Sequence, residues 1–200
     1  VYRLVITNNT TLCTNFKDYT IIDAPATITA TVPTIVDLTN CSPAANNGSL
    51  TASGAGGTGT YNYYWYIGSS VKATPDFTGV TYSGLGIGSY TVVAEDDATK
   101  CKSAPVTVAV GDGRITPVNP AVTQVNNTNC LPAAANGSLA VTTPDAAYSY
   151  QWYKGAGTGT TAGAAGSSVT GLTAGVYRLV ITNNTTLCTN FKDYTIIDAP

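Results

Sequence analysis

The chain has 200 residues, a formal net charge of −2, only 10% charged residues, and no His or Met. So mildly acidic a chain lacks the basic surface that nucleic acid or an anionic membrane requires, and without His it lacks the usual base for a Ser or Cys nucleophile. No apolar run approaches the roughly 18 residues needed to span a bilayer.

The first segment, VYRLVITNNTTLCTNFKDYTIIDAP at residues 1–25, recurs unchanged at 176–200, so that Val1 matches Val176 and Pro25 matches Pro200, a period of 175. A weaker repeat lies inside it. The stretch NCSPAANNGSLTAS from Asn40 matches NCLPAAANGSLAVT from Asn129, TYNYYWYIG from Thr60 matches AYSYQWYKG from Ala147, and GLGIGSYTVVAEDDATKC from Gly84 matches GLTAGVYRLVITNNTTLC from Gly171. These matches define two diverged modules, at 25–112 and 113–200, and leave residues 1–24 as the closing hairpin of a module that precedes them. A chain that starts inside a module reads as part of a longer or processed polypeptide.

Helical periodicity is nearly missing. Short β-branched and aromatic runs between Gly, Asn, Pro and Ser clusters predict strands at 26–32, 48–53, 60–67, 78–82, 88–95 and 105–110, then at 121–125, 137–142, 147–154, 168–171, 175–182 and 192–197. Strands at such spacing predict an all-β protein of tandem, Ig-like antiparallel β-sandwich modules joined end to end by short linkers. Within YNYYWY, alternation assigns Tyr61, Tyr63 and Trp65 to one face, and the second module repeats the pattern with Tyr148, Tyr150 and Trp152. Trp65 and Trp152 therefore mark the core. The elements LGIGSY and LTAGVY resemble the tyrosine corner of sandwich folds, which gives Tyr90 and Tyr177 a structural role. Tyr64, Tyr66 and Tyr153 fall on the opposite face, where exposed rings pack against another chain, stack on a glycan or cover their own sheet. Asn47-Gly48 and Asn136-Gly137 read as tight turns entering a strand.

Cysteines recur at matching places, Cys41 and Cys101 in one module and Cys130 and Cys188 in the next. Each pair is expected to form a disulfide that clips loops at one end of its own module. Cys13, the copy of Cys188, would have its partner outside the chain. With no His and no Cys-x-x-Cys, metal binding is not expected, and neither is a cofactor. Disulfides imply an oxidising compartment outside the cytoplasm. The acids Glu95 to Asp97 read as a solvated loop, since the sister loop carries Asn183 and Asn184. Lys192 and Asp193 are of the types that form isopeptide crosslinks.

Taken together, the Cys followed by NNGSL, the GGTGTYNYYW stretch and the GLGIGSYTVVAEDDATKC stretch resemble the repeats of SprB-type surface adhesins of gliding bacteria. The resemblance covers both complete modules and the partial one. The chain departs from that pattern where GGTGTYNYYW lacks the usual Pro, where TPDAAYSYQW lacks Gly-Gly, and where Asn183 and Asn184 replace acids. It implies a non-catalytic segment of an extracellular filament or giant adhesin on a bacterial surface. Its partners would be neighbouring copies of the repeat and other filament chains. Two alternatives stay open, a glycan-binding sandwich and a short subunit that polymerises by donating residues 1–25 as strands to a neighbour.

Overall fold

The computed structural model describes residues 1–42, 45–130 and 134–199, so Pro43, Ala44, Leu131 to Ala133 and Pro200, which belong to the cysteine motifs and the repeat end, lie outside the described residues. The chain is all-β, with antiparallel sheets and, among the described residues, no barrel. It opens with a hairpin, β1 (Tyr2–Thr7) and β2 (Thr14–Tyr19). A first sandwich-like pair of sheets follows, built from β3 (Thr29–Val36), β4 (Gly48–Ala55), β5 (Tyr61–Ile67), β6 (Phe77–Thr78), β7 (Thr81–Leu85), β8 (Gly88–Asp96) and β9 (Val106–Val110). Its sheets run in the orders β3-β4-β7 and β6-β5-β8-β9. The second pair contains β10 (Val122–Val125), β11 (Gly137–Val141), β12 (Tyr148–Lys154), β13 (Ser168–Leu172), β14 (Gly175–Asn183) and β15 (Thr189–Ile196), in the orders β10-β11-β13 and β12-β14-β15.

Each pair of sheets closes on its own core. Trp65, Leu50, Val92 and Ala94 are fully enclosed in the first, and Trp152, Leu139 and Leu179 in the second. The Tyr90 hydroxyl donates to the Gly86 carbonyl at 3.0 Å and the Tyr177 hydroxyl to that of Thr173 at 2.9 Å, so each ring anchors the loop before its strand. The two cores differ at the indole. Trp65 Nε1 donates to Gly79 O at 2.9 Å, whereas Trp152 Nε1 is buried without a partner among the described residues.

Two elements differ from the sequence expectation. The strand expected at 26–32 instead starts at Thr29 and runs on past Pro33, through a register shift between Thr31 and Thr34, to Val36. An edge strand tolerates proline at such a bulge. More consequentially, the strand expected at 78–82 is two strands of opposite direction. Phe77 and Thr78 descend beside Trp65 and Tyr64, and the chain then reverses at Gly79 and Val80, crosses to the other sheet and climbs beside β4. The second pair makes the same reversal around Gly166 and Ser167, with Gly166 N bonded to Tyr150 O and Val141 N to Ser167 O.

The Asn-Gly elements are not tight turns. Gly48 and Gly137 start β4 and β11, and a Cβ at either would lie 2.6 Å from the carbonyl oxygen of Leu85 or Leu172. Glycine is needed there for close backbone approach.

The repeated segment provides an internal control. Hairpin β1-β2 has the same register as β14-β15, with Tyr2 opposite Tyr19 as Tyr177 is opposite Tyr194. Tyr177, Leu179 and Ile181 are 2%, 0% and 2% exposed, whereas Tyr2, Leu4 and Ile6 are 66%, 50% and 64% exposed. Over these three side chains the difference is the facing sheet, together with β12 alongside β14. Leu179→Ala should therefore destabilise the second sheet pair by about 2–5 kcal/mol, while Leu4→Ala should change stability by less than about 0.5 kcal/mol. Denaturant titration followed by Trp152 fluorescence in a Trp65→Phe background checks both, and equal effects would contradict the burial difference.

Candidate functional site

The most elaborated site is the junction between the two sheet pairs. After β9, residues 111–121 form a linker that is fastened at both sides. Leu38 N bonds to Gly111 O at 3.1 Å and Gly113 N to Leu38 O at 2.9 Å, while Asp37 accepts from Gly111 N at 2.7 Å. Asp112 receives a two-pronged bond from the Arg114 guanidinium and one from its backbone N–H, which push its carboxyl down to about 2. On the other side, Asn190 Nδ2 donates to Pro117 O at 2.8 Å and Asn119 Nδ2 to Phe191 O at 3.3 Å. The linker and Thr39, Tyr148, Asn183 and Thr186 enclose a groove of about 420 Å³.

Across this junction Cys41 and Cys188 form a disulfide, with Cα atoms 4.8 Å apart and a sequence separation of 147. Cys41 N also donates to Thr186 O at 2.8 Å. This corrects the expected pairing of Cys41 with Cys101 and of Cys130 with Cys188. The reason is topological. The reversal at Gly79 and Val80 adds one change of direction, so the loop after β3 and the loop after β8 emerge at opposite ends of the first sandwich. A strand of seven to nine residues separates those ends by about 25–30 Å, whereas a disulfide needs Cα atoms within about 7 Å. Cys13, Cys101 and Cys130 are free thiols in this chain.

Both halves of the staple sit in built loops. Asn47 Oδ1 accepts from the N–H groups of Thr39 and Asn40, and its Nδ2 donates to Thr39 Oγ1 at 2.8 Å, fixing the loop that presents Cys41. Cys188 closes a turn in which Asn183 Oδ1 accepts from Thr185 N and Thr186 N, and Leu187 takes φ +57°. The same turn recurs at Asn8 with Leu12 at +56°, and at Asp96 with Lys100 at +58°. None of the three copies has the glycine usual at such φ, and the copy at Asn8 keeps the turn in the uncovered hairpin, so the Asn or Asp side chain and the backbone bonds inside the turn hold it.

Asp96 departs from the solvated-loop reading. Its carboxylate is fully enclosed and accepts four bonds, from Thr99 N and Oγ1 at 2.8 Å and from Thr58 N and Oγ1 at 2.6 and 2.7 Å. A Cβ at Gly57 would meet this carboxylate at 2.5 Å. The Gly-Gly-Thr stretch thus exists to let a loop close over Asp96, and the second sheet pair, which lacks Gly-Gly, has Asn183 at the matching position. Asp97 stays exposed and pairs with Lys100 at 3.0 Å.

The three rings assigned to the face opposite the Trp side chains are all partly or wholly covered. Tyr66 is 7% exposed, and Tyr64 is half-buried with Lys102 Nζ 5.5 Å from its ring centre. Tyr153 is half-buried and bridges to Thr161. Lys192 and Asp193 point to separate partners, Tyr194 and Arg178. Among the described residues there is no group of three or more His, Cys, Asp or Glu side chains placed to hold a metal, and no helix long and apolar enough to cross a membrane. Comparison with protein-family models and with curated proteins gives no match. The disulfide fits an oxidising, extracellular setting.

Hydrogen bonds from Thr99 N, Thr58 N and the Thr58 hydroxyl hold the Asp96 carboxyl well below the usual carboxylate range. Its stabilisation is complete above the unfolded pKa and is lost as pH falls through the folded one. The first sheet pair should therefore lose stability on acidification more steeply than the second. Single-Trp variants, Trp65→Phe and Trp152→Phe, separate the two transitions. Asp96→Asn should remove the difference in slope, and parallel acid profiles in the parent chain would contradict the assignment.

Proposed function

We propose that this chain is a non-catalytic structural segment of an extracellular bacterial filament or giant surface adhesin. In it, a unit of two Ig-like sandwiches with a period of 175 recurs along one polypeptide. The observation that carries this reading is the pair of identical hairpins. An isolated two-stranded hairpin is marginal in water, and β1-β2 exposes the row of side chains that β14-β15 buries. A preceding sheet pair would cover it. The strand-donation alternative has less support, because the place that residues 1–25 would fill is already taken by residues 176–200. Glycan binding through Tyr64, Tyr66 and Tyr153 is not favoured either, since Tyr66 is buried and the three rings form no open platform.

The staple gives such an array a mechanical property. Tension entering along β3 reaches Cys41, crosses the disulfide to Cys188 and leaves along β15, so the strands between carry none of it. In the array Cys13 would stand in for Cys188 of the preceding unit and pair with that unit's equivalent of Cys41. The covalent path per unit is then the stretch from Cys13 to Cys41, about 28 residues or at most about 100 Å of extended chain. Two folded sandwiches span roughly 80 Å if each adds about 40 Å. Without the staple, the unit could extend to about 600 Å.

Two measurements test this reading. Native material, denatured and reduced, should run far above the 20.5 kDa of this chain; a single band at that mass would sink the covalent array. Pulled singly, oxidised fibres should show no lengthening steps, and reductant should release steps on the order of 250 Å, one for each sandwich. Such steps in oxidised fibres would contradict the load path.

A further inference from the structure

The observed disulfide closes the junction from the first sheet pair to the second, but an array contains a second kind of junction, from the second pair to the first pair of the next unit. We propose that Cys130 is stapled there to the Cys101 of the following unit, an inference that rests on the tandem reading above. Each half of the observed staple has a structural duplicate at that junction.

Cys130 duplicates Cys41. Asn136 Oδ1 accepts from Thr128 N at 2.8 Å and its Nδ2 donates to Thr128 Oγ1 at 2.8 Å, as Asn47 does with Thr39. The parallel bridge that fixes the end of the first pair, Leu38 to Asp112, is repeated in the second as Asn127 to Asp198. Cys130 therefore leaves the second pair from the end at which the chain leaves it, and it is exposed there.

Cys101 duplicates Cys188. Asp96 N bonds to Cys101 O at 3.0 Å and Lys100 N to Asp96 O at 2.9 Å, matching Asn183 N to Cys188 O and Leu187 N to Asn183 O, both at 2.9 Å. Cys101 lies at the end of the first pair that faces a preceding unit. Neither thiol can reach the other within one unit, because their sandwiches meet through the opposite ends, where Cys41 and Cys188 already pair. Each is placed for a partner one junction away.

The bond forms by loss of two protons and two electrons from the two thiols, accepted by a protein or small-molecule disulfide that is reduced to its dithiol. With both staples made, no cysteine of an interior unit remains free. Two covalent paths then run the length of the fibre, one through residues 13–41 and one through residues 101–130 of each unit, alternating with disulfides. Both junctions are locked, and one staple can be cut without returning tension to the folded strands.

Peptide mapping of native fibres tests this. After alkylation of free thiols and tryptic digestion without reductant, the peptide Ile115–Lys154 should be recovered joined to the dipeptide Cys101–Lys102, and Asp18–Lys72 joined to Leu179–Lys192. Recovery of Ile115–Lys154 in alkylated form, or joined to any other cysteine peptide, overturns the second staple. The mass of the reduced, denatured chain separates this failure from failure of the array. A long polypeptide with alkylated Cys130 defeats the staple alone, whereas a chain of 20.5 kDa defeats both.

Discussion

Burial of one hairpin face holds the repeat together. Tyr177, Leu179 and Ile181 pack beneath the facing sheet beside Trp152, and at about 1.5–3 kcal/mol for each large side chain their burial is worth roughly 6 kcal/mol. That is comparable with the whole net stability of a small domain. The outer face of the hairpin does not need the sandwich. Arg178 forks onto Asp193 and lies 4.0 Å from the centre of the Phe191 ring, and Arg3, Asp18 and Phe16 make the same cluster in the uncovered copy. Outer contacts set the register, and inner contacts decide whether the hairpin is stable.

Since each core is complete by itself, the disulfide is not required to hold either one together. In the chain-entropy model, closing a separation of 147 is worth about 5 kcal/mol, but that figure applies to a chain that unfolds as a whole. While both cores are folded, the bond instead limits how the sandwiches move against each other, together with the anchored linker. In the proposed array its larger effect is on load, because a covalent bond between Cys41 and Cys188 would replace many hydrogen-bonded strands as the element under tension.

The strands were legible because their signal is local. Alternation around Trp65 and Trp152, and Gly, Pro and Asn between runs, place most strands within a few residues. What failed to show was direction. Thr78 to Tyr82 reads as one β-rich run, and no residue in it announces that the chain reverses at Gly79 and Val80. That single missed reversal changes the parity of every later loop, moving Cys101 from the end of Cys41 to the opposite end. The pairing error follows from it, since cysteine spacing alone allows every connectivity. Asp96 was hidden for another reason. A carboxylate in an acidic run looks solvated, and only the Gly-Gly loop folding back from Gly56 and Gly57 encloses it. The two departures from the repeat pattern, the lost Gly-Gly and the lost acid in the second sheet pair, are one event read at two positions. Tyr66 likewise obeys its alternation but lies on a face that its own molecule covers, which periodicity cannot distinguish from an open one.

In the proposed fibre, cysteines at opposite ends of a sandwich serve better than a clip within one domain. A disulfide between loops at one end of a sandwich would stabilise that sandwich and leave the linker as the weakest segment. With the two cysteines of each sandwich at opposite ends, every disulfide of the proposed array is a bond to a neighbour. The turns that present them are correspondingly rigid: the Asn or Asp side chain that organises the turn and the left-handed residue before the cysteine recur at all three copies, although the intervening residues change from NTTL to DATK.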